Sequence, residues 1–193
     1  HKLNIPFQIY EAVKELKPLG VGINIQPHAV RELFALGLQR GLDKIGLRSK
    51  EVAYFSTQGG LIWSEPRGSC AGYNWPQYSI NRGDLQMLLY NELIPVAGSN
   101  IVRTNATLKT WKNSAEEVEL TLVDRKSERL IEKKKATIMI GCDGINSRTR
   151  AQLYPHEGPA KWSGIMMWRG TTKGPKFLSG KSCLLYTSDA ADE

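Results

Sequence analysis

Gly141-Cys142-Asp143-Gly144-Ile145-Asn146-Ser147-Arg148 sets a carboxylate among two glycines, a hydroxyl and a guanidinium, directly after the apolar run Ala136-Thr137-Ile138-Met139-Ile140. A strand that stops at Gly-x-Asp-Gly can turn sharply because glycine tolerates positive φ. It then leaves the acid at its carboxyl end, where α/β folds bind their ligands. Ser147 and the arginines after it would open a helix. The same residues also fit a plain turn with Ser147 as an N-cap, so other segments must decide.

Two further residues have the type and position for binding chemistry. Ile5-Pro6-Phe7-Gln8-Ile9-Tyr10-Glu11 reads as a strand ending in an acid. In nucleotide-binding βαβ units that acid accepts hydrogen bonds from ribose hydroxyls, although a solvated strand-end glutamate has the same pattern. The Gly-x-Gly-x-x-Gly turn that should precede such a strand is not in the sequence, and we expect it to lie before His1. Asn81-Arg82-Gly83 leads into the helix Asp84–Tyr90, whose Leu85, Leu88 and Leu89 form one apolar face. Arg82 thus sits at a helix entrance beside free backbone N–H groups, a place suited to phosphate or a flavin edge; a plain surface arginine is the alternative.

The elements that position these residues follow from pattern. Lys17 to Pro27 carries two glycines, Gly20 and Gly22, that permit close backbone approach, and Pro27 starts a helix. Ala29, Val30, Leu33, Phe34 and Leu36 repeat at helical spacing; Gly37 begins to close that helix and Gly41 is expected to end it. Val52–Phe55, the Gly59-Gly60 turn and Leu61–Trp63 predict a hairpin, followed by a strand at Tyr78–Ile80. Trp63, Tyr73, Trp75 and Tyr78 concentrate aromatic surface there, for a substrate pocket or, as we favour, for packing. Ile101-Val102 and Ala106–Trp111 read as strands. The hairpin Val118–Val123 to Ala136–Ile140 has its tip at Asp124–Arg129, and Met166–Thr172 predicts a strand that begins another sheet.

Composition narrows the classes. The 193 residues are 41% hydrophobic, ordinary for a globular chain, and no apolar run is long enough for a bilayer-spanning helix. The net charge of +7 is mostly diffuse, and its one dense block is interleaved with Glu128 and Glu132 on the hairpin, so nucleic acid is not expected as a partner. Attraction of an anionic cofactor or substrate is a milder use for it. Cys70, Cys142 and Cys183 are scattered and odd in number, which disfavours a disulfide framework or a metal knuckle and makes a cytoplasmic setting the default. We expect no metal site. The chain begins at His1, with neither a signal peptide nor a start methionine visible. Its tail, Cys183 to Glu193, breaks from the basic character before it. Read back into codons, the tail is similar to a transposase-type sequencing adapter, so these residues are expected to be an artefact outside the fold.

Taken together, the motifs resemble the class A FAD-dependent aromatic monooxygenases of the p-hydroxybenzoate hydroxylase fold. The resemblance rests on Tyr10-Glu11-Ala12, Pro18 to Pro27, Trp63 to Gly68, Pro76 to Gln86, Gly141 to Gly144, and Met167 to Gly170, in that order and spacing. It covers nearly all of Ile5 to Ser182 and is most similar to phenazine-carboxylate monooxygenases, less so to urate and salicylate hydroxylases. It implies an α/β fold: a partial Rossmann-like FAD-binding domain over residues 1–155, with the 52–80 hairpin on the substrate side. Residues 156–182 would begin the substrate-binding sheet, ahead of the tail at 183–193. By the same resemblance Glu11 would hold the adenosine ribose with Ala12 beside it. Gly22, Ile23 and Asn24 would lie against FAD, Arg82 would contact it at the helix entrance, and the Leu108 backbone would meet the adenine side. Asp143 and Gly144 would be shared between FAD and the pyridine nucleotide. Asn81 and Cys142 stand where relatives often carry His and Ala.

The implied activity is hydroxylation of an aromatic or heteroaromatic acid by NADH or NADPH and O2, through a C4a-hydroperoxyflavin. A flavin-dependent reductase or dehydrogenase of the same fold, or a non-enzymatic remnant, are the alternatives. No catalytic acid or base is assigned: His28 reads as a helix-start residue, His156 as a loop residue and His1 as the terminus. With the glycine turn and the later flavin-closing segment both expected outside the sequence, this chain alone is expected to bind FAD poorly.

Overall fold

A computed structural model of the chain describes residues 3–186. Its elements run β1 (Ile9–Tyr10), β2 (Gly22–Ile25), α1 (Pro27–Ala35), α2 (Gln39–Ile45), β3 (Gly46–Ser49), β4 (Glu51–Phe55), β5 (Leu61–Pro66), β6 (Gln77–Asn81), α3 (Arg82–Ala97), β7 (Val102–Arg103), β8 (Ala106–Asn113), β9 (Val118–Asp124), β10 (Leu130–Ala136), α4 (Arg148–Leu153) and β11 (Ser182–Tyr186). The fold is mixed α/β with several small sheets. The chain divides into two units, residues 1–16 with 93–167 and residues 17–92 with 168–193.

In the first unit β9 is the middle of an antiparallel β10-β9-β8 sheet. Its Val118, Leu120, Leu122 and Val123 are buried, joined by Ala106 from β8. Asp124 ties off the β9–β10 hairpin: its Oδ1 accepts from the Lys126 and Ser127 backbone N–H groups at 2.9 and 2.8 Å and from the Ser127 hydroxyl. These donors hold its carboxyl down at about 2. The expected tip at Asp124–Arg129 is therefore where the chain turns. The open side of β8 is met by α4, whose Gln152 side chain accepts from the Trp111 N–H at 3.1 Å and donates to the Trp111 carbonyl at 2.6 Å, as a neighbouring strand would. β1 and β7 form a parallel pair, Ile9 opposite Val102 and Tyr10 opposite Arg103.

In the second unit β6 is central in a β2-β6-β3 sheet, antiparallel to both neighbours. Tyr78, fully buried, packs on one face with Ile25, Ile80, Val30, Leu38 and Leu42. Its ring meets Phe34 edge-on at 6.5 Å. Trp75 joins this core, whereas Trp63 and Tyr73 stay exposed, so packing accounts for two of the four aromatics singled out by sequence. The second sheet, β11-β4-β5, contains the expected hairpin with its turn at Gly59-Gly60.

Several sequence expectations need correction, beginning with the strand read over Ile5–Glu11, of which only Ile9–Tyr10 pairs as a strand. Gly41 does not end a helix. Gly37, at φ +84°, closes α1, and α2 begins again at Gln39 and runs through Gly41. A Cβ there would stand 2.4 Å from Leu88 Cδ1, so the glycine permits helix contact rather than helix termination. Residues 137–140 form no strand, and Ile138 and Ile140 are 75% and 82% exposed. Met166–Thr172 is likewise irregular, with Trp168 90% exposed. Apolar composition gives these segments strand propensity, but a strand exists only where a partner takes its backbone donors and acceptors, and no described segment does so here. On its side away from β5, β4 is paired by β11 instead, in parallel from Ser182 opposite Glu51 to Tyr186 opposite Phe55. The first residues of the suspect tail thus lie in a strand, while residues 187–193 fall outside the described residues. Any short run such as Cys-Leu-Leu-Tyr can complete an open sheet edge, so the pairing carries no information about the origin of the tail.

Candidate functional site

In the first unit Glu11 follows β1 directly. Its backbone continues the parallel ladder, Glu11 N–H donating to the Arg103 carbonyl at 2.9 Å and its carbonyl accepting from Ala106 N–H at 3.0 Å. One carboxylate oxygen accepts from Val13 N–H at 3.0 Å, folding the side chain over the bend that contains Ala12. The half-buried acid is thereby fixed at a strand end. Behind it, Tyr10 and Arg103, register partners on β1 and β7, both donate to Glu132 of β10, at 2.9 and 2.6 Å. Burial, then the accepting Glu132 carboxylate, push the Tyr10 hydroxyl up to about 12. This anchor was not legible from sequence, because nothing in Glu132's setting in a basic run marks it as a partner.

Leu108 lies on β8 opposite Leu122, beside a register irregularity, and its carbonyl accepts from Arg148 Nη1 at 3.3 Å. Arg148 also reaches Glu128 at 2.6 Å. Asp143 stands in irregular chain before α4, Oδ1 accepting from the Ser147 hydroxyl at 2.5 Å and Oδ2 from the Thr149 N–H at 3.0 Å. Ser147 in turn caps α4, accepting from Arg150 N–H at 2.9 Å. Desolvation pushes the Asp143 carboxyl up, but the donors from Ser147 and Thr149 outweigh it and hold the group below its ordinary value. Gly144 follows at φ +75° with open space where a side chain would stand. The capping arrangement that the sequence left as an alternative is realised, and the acid remains exposed.

In the second unit Gly22, Ile23 and Asn24 lie on β2, opposite Asn81, Ile80 and Ser79. The Asn24 Oδ1 accepts from the Ser79 hydroxyl at 2.7 Å, and Ser79 Oγ is 2.9 Å from Ser49 Oγ on β3. No atom lies within 4 Å of where a Gly22 Cβ would be. Arg82 is the first residue of α3: its N–H donates to the Val21 carbonyl and its Nη2 to the Leu19 carbonyl, both at 3.0 Å. A Cβ on Gly20 would come within 2.8 Å of Arg82 Nε, and one on Gly83 within 2.5 Å of the Pro18 carbonyl carbon. Asn81 Oδ1 accepts from Gly83 N–H at 2.8 Å. Two glycines therefore let residues 18–21 lie directly on the start of α3, and the guanidinium is laid over Gly20.

Glu11, Ala12, Leu108, Asp143 and Gly144 thus belong to one unit and Gly22, Ile23, Asn24 and Arg82 to the other. Within each, the residues fit a flat, polyhydroxylated cofactor such as FAD: an acid fixed at a strand end in the first, and in the second an arginine at a helix entrance beside the unfilled space at Gly22. Hollows lined by Gln8, Asn100 and Arg103 and by Phe7, Val96 and Ile101 touch none of these residues. Among the described residues no cluster of His, Cys, Asp or Glu could hold a metal ion, and no helix is long and apolar enough to cross a membrane.

No protein-family model matches the chain. It is 36% identical over 181 residues to phenazine 1,6-dicarboxylic acid hydroxylase PhzS of Lysobacter antibioticus, covering 94% of this chain and 44% of that protein. It is 30% identical over 181 residues to 3-amino-4-hydroxybenzoate 2-monooxygenase PtmB3 of Streptomyces platensis, covering 92% and 43%. Its fold is similar to that of 2,6-dihydroxypyridine-3-hydroxylase from Arthrobacter nicotinovorans, with a TM-score of 0.55 and 25% identity over 80% of this chain and 35% of that one. The chain spans a little under half the length of the curated relatives it matches. Within that span, the proteins it resembles in sequence and fold are FAD-dependent aromatic monooxygenases.

Proposed function

We propose that the chain forms part of an enzyme that hydroxylates an aromatic or heteroaromatic acid with FAD, NADH or NADPH, and O2. The observation that carries this reading is the 36% identity, over 94% of the chain, to a hydroxylase of a phenazine dicarboxylic acid. The second curated relative, named for an aminohydroxybenzoate, also acts on a ring acid. Bound FAD, reduced by the pyridine nucleotide, supplies the activation of O2.

The protein's own share is binding and orientation. Glu11, with one oxygen tied to Val13 N–H, keeps the other for a ribose hydroxyl, and Ala12 leaves room beside it. Arg82, clamped to Leu19, offers its remaining guanidinium N–H groups to an anionic or carbonyl oxygen of the cofactor. Gly22, Ile23 and Asn24 would line the cofactor from β2. The Leu108 backbone would meet the adenine side, and Asp143 with Gly144 would serve both FAD and the pyridine nucleotide. The excess of basic residues attracts the ionised substrate.

The test is oxygen uptake by the FAD-loaded protein expressed from the gene's whole open reading frame, with NADH or NADPH and a panel of phenazine, pyridine and benzoate acids. Effector-dependent O2 consumption with a hydroxylated product is the expected result. Pyridine-nucleotide oxidation that neither consumes O2 nor modifies any ring acid would overturn the reading in favour of a reductase.

A further inference from the structure

Asn24, Ser79 and Ser49 stand in a row across β2, β6 and β3, and with Ser79 donating to Asn24 the proton count sets the direction of the remaining bond. Ser79 is opposite Asn24, and Ser49 is one diagonal step away. The Ser79 hydroxyl has a single proton, which it gives to Asn24 Oδ1 at 2.7 Å. The 2.9 Å contact between the two serine oxygens must then carry the proton of Ser49. Ser49 is buried, where a hydroxyl without a partner is costly, so the row is anchored at that end. At the other end Asn24 is exposed, and its amide nitrogen has no partner among the described residues. Gly22, two residues earlier on the same face of β2, leaves open space beside it.

We infer that Ser79, backed by Ser49, is a positioning residue that holds the Asn24 amide with its oxygen satisfied and both N–H donors outward. The Gly22–Asn24 edge then recognises a hydrogen-bond acceptor, a carbonyl or anionic oxygen of the bound flavin. The inference rests on the proposal that this segment faces FAD. An amide free to flip would offer donor and acceptor faces alternately; the serine pair removes the acceptor face and the ordering cost that goes with choosing.

The experiment is FAD titration of the apoprotein expressed from the whole open reading frame, followed by flavin fluorescence, with thermal melting of every variant alongside. Asn24→Ala is expected to weaken FAD binding about three- to tenfold, the loss of one neutral hydrogen bond. Ser79→Ala is expected to weaken it about two- to fivefold, but to cost nothing further when Asn24 is already alanine. Ser79→Thr restores affinity, and Ser79→Cys, close in volume but a poor donor, behaves as Ser79→Ala should the latter fold badly. Asn24→Asp keeps the acceptor for Ser79 and removes the donors, so it binds more weakly than Asn24→Ala. Equal costs of Ser79→Ala in both backgrounds would overturn the relay and leave Asn24 as a contact. Wild-type affinity or better in Asn24→Asp would overturn the donor assignment. Unchanged affinity in Asn24→Ala would overturn the placement of this segment against FAD, and the relay with it.

Discussion

The starts of α3 and α4 invite comparison, since each presents the charged group that the sequence marked for ligand chemistry. At α3 the hydrogen bonds of Arg82 to Leu19 and Val21 are long-range, and the glycines at 20 and 83 bring residues 18–21 into backbone contact with the helix. At α4 the contacts of Asp143 are local, to Ser147 and Thr149, and the residues before it are irregular. The difference lies in how position is enforced. Arg82 is placed by close-packed backbone that has little freedom to adjust, whereas Asp143 is placed by three side-chain and backbone donors within six residues of it.

The strongest way to break that contrast is Gly83→Ala. Alanine is the better helix former by about 1 kcal/mol. Its Cβ, however, would meet the Pro18 carbonyl carbon at 2.5 Å and Leu19 N at 2.9 Å, and backbone on both sides cannot yield cheaply. Overpacking of this kind costs about 1–3 kcal/mol and more where backbone must move, so the clash wins. A fall in Tm of about 5–10 °C is expected in thermal unfolding, with loss of the native environment of Arg82. A Tm equal to or above that of the parent would show that residues 18–21 do not rest on α3.

A smaller effect is expected beneath the same sheet. The buried Tyr78 hydroxyl donates to Asp43 Oδ1 at 2.5 Å and accepts from Arg48 Nε at 3.1 Å, while Arg48 pairs with both oxygens of Asp43. Tyr78→Phe removes the hydroxyl and leaves the ion pair, at an expected cost of about 1–2 kcal/mol. Burial, then the bond to Asp43, push the Tyr78 hydroxyl up to about 12. A tyrosine raised above its ordinary value of 10 contributes stability that is complete below pH 10 and is lost as pH rises toward 12. Chemical denaturation across that window should show a steeper loss for the parent than for Tyr78→Phe. Parallel curves would mean that the hydroxyl is as free in the folded chain as in the unfolded one.

What the sequence made legible divides along the same line. Local signals were readable: Pro27 at the head of α1, the Gly59-Gly60 turn, the Asp124–Arg129 tip, Arg82 at the first position of α3, Ser147 as an N-cap. Pairing was not. Thr137–Ile140 and Met166–Thr172 have strand composition and no strand partner among the described residues, while Cys183–Tyr186, set aside with the tail, found one on β4. Gly41 misled because its role depends on Leu88, distant in sequence. The candidate residues were legible as types at element ends, but the Ser49–Ser79–Asn24 row was not. Serines on strands are unremarkable until register sets them side by side.

The weakest expected effect sharpens the comparison from the side of α4. Asp143→Ala removes the acceptor for Ser147 and for Thr149, and capping interactions of this exposed kind are worth about 0.5–1 kcal/mol. Because all its partners lie within six residues, the loss should stay in that turn: amide hydrogens of Thr149, Arg150 and Ala151 should exchange faster while global Tm barely moves. The carboxyl lies below its ordinary value, so its contribution is complete above the usual carboxylate range and is lost as pH falls through the lowered folded value. Acidifying the parent through that range should therefore reproduce the exchange pattern of Asp143→Ala at α4, leaving the amides of α3 unaffected. Equal loss of protection in both helices would show that Asp143 is held by more than its own turn, and that the two helix entrances are built alike.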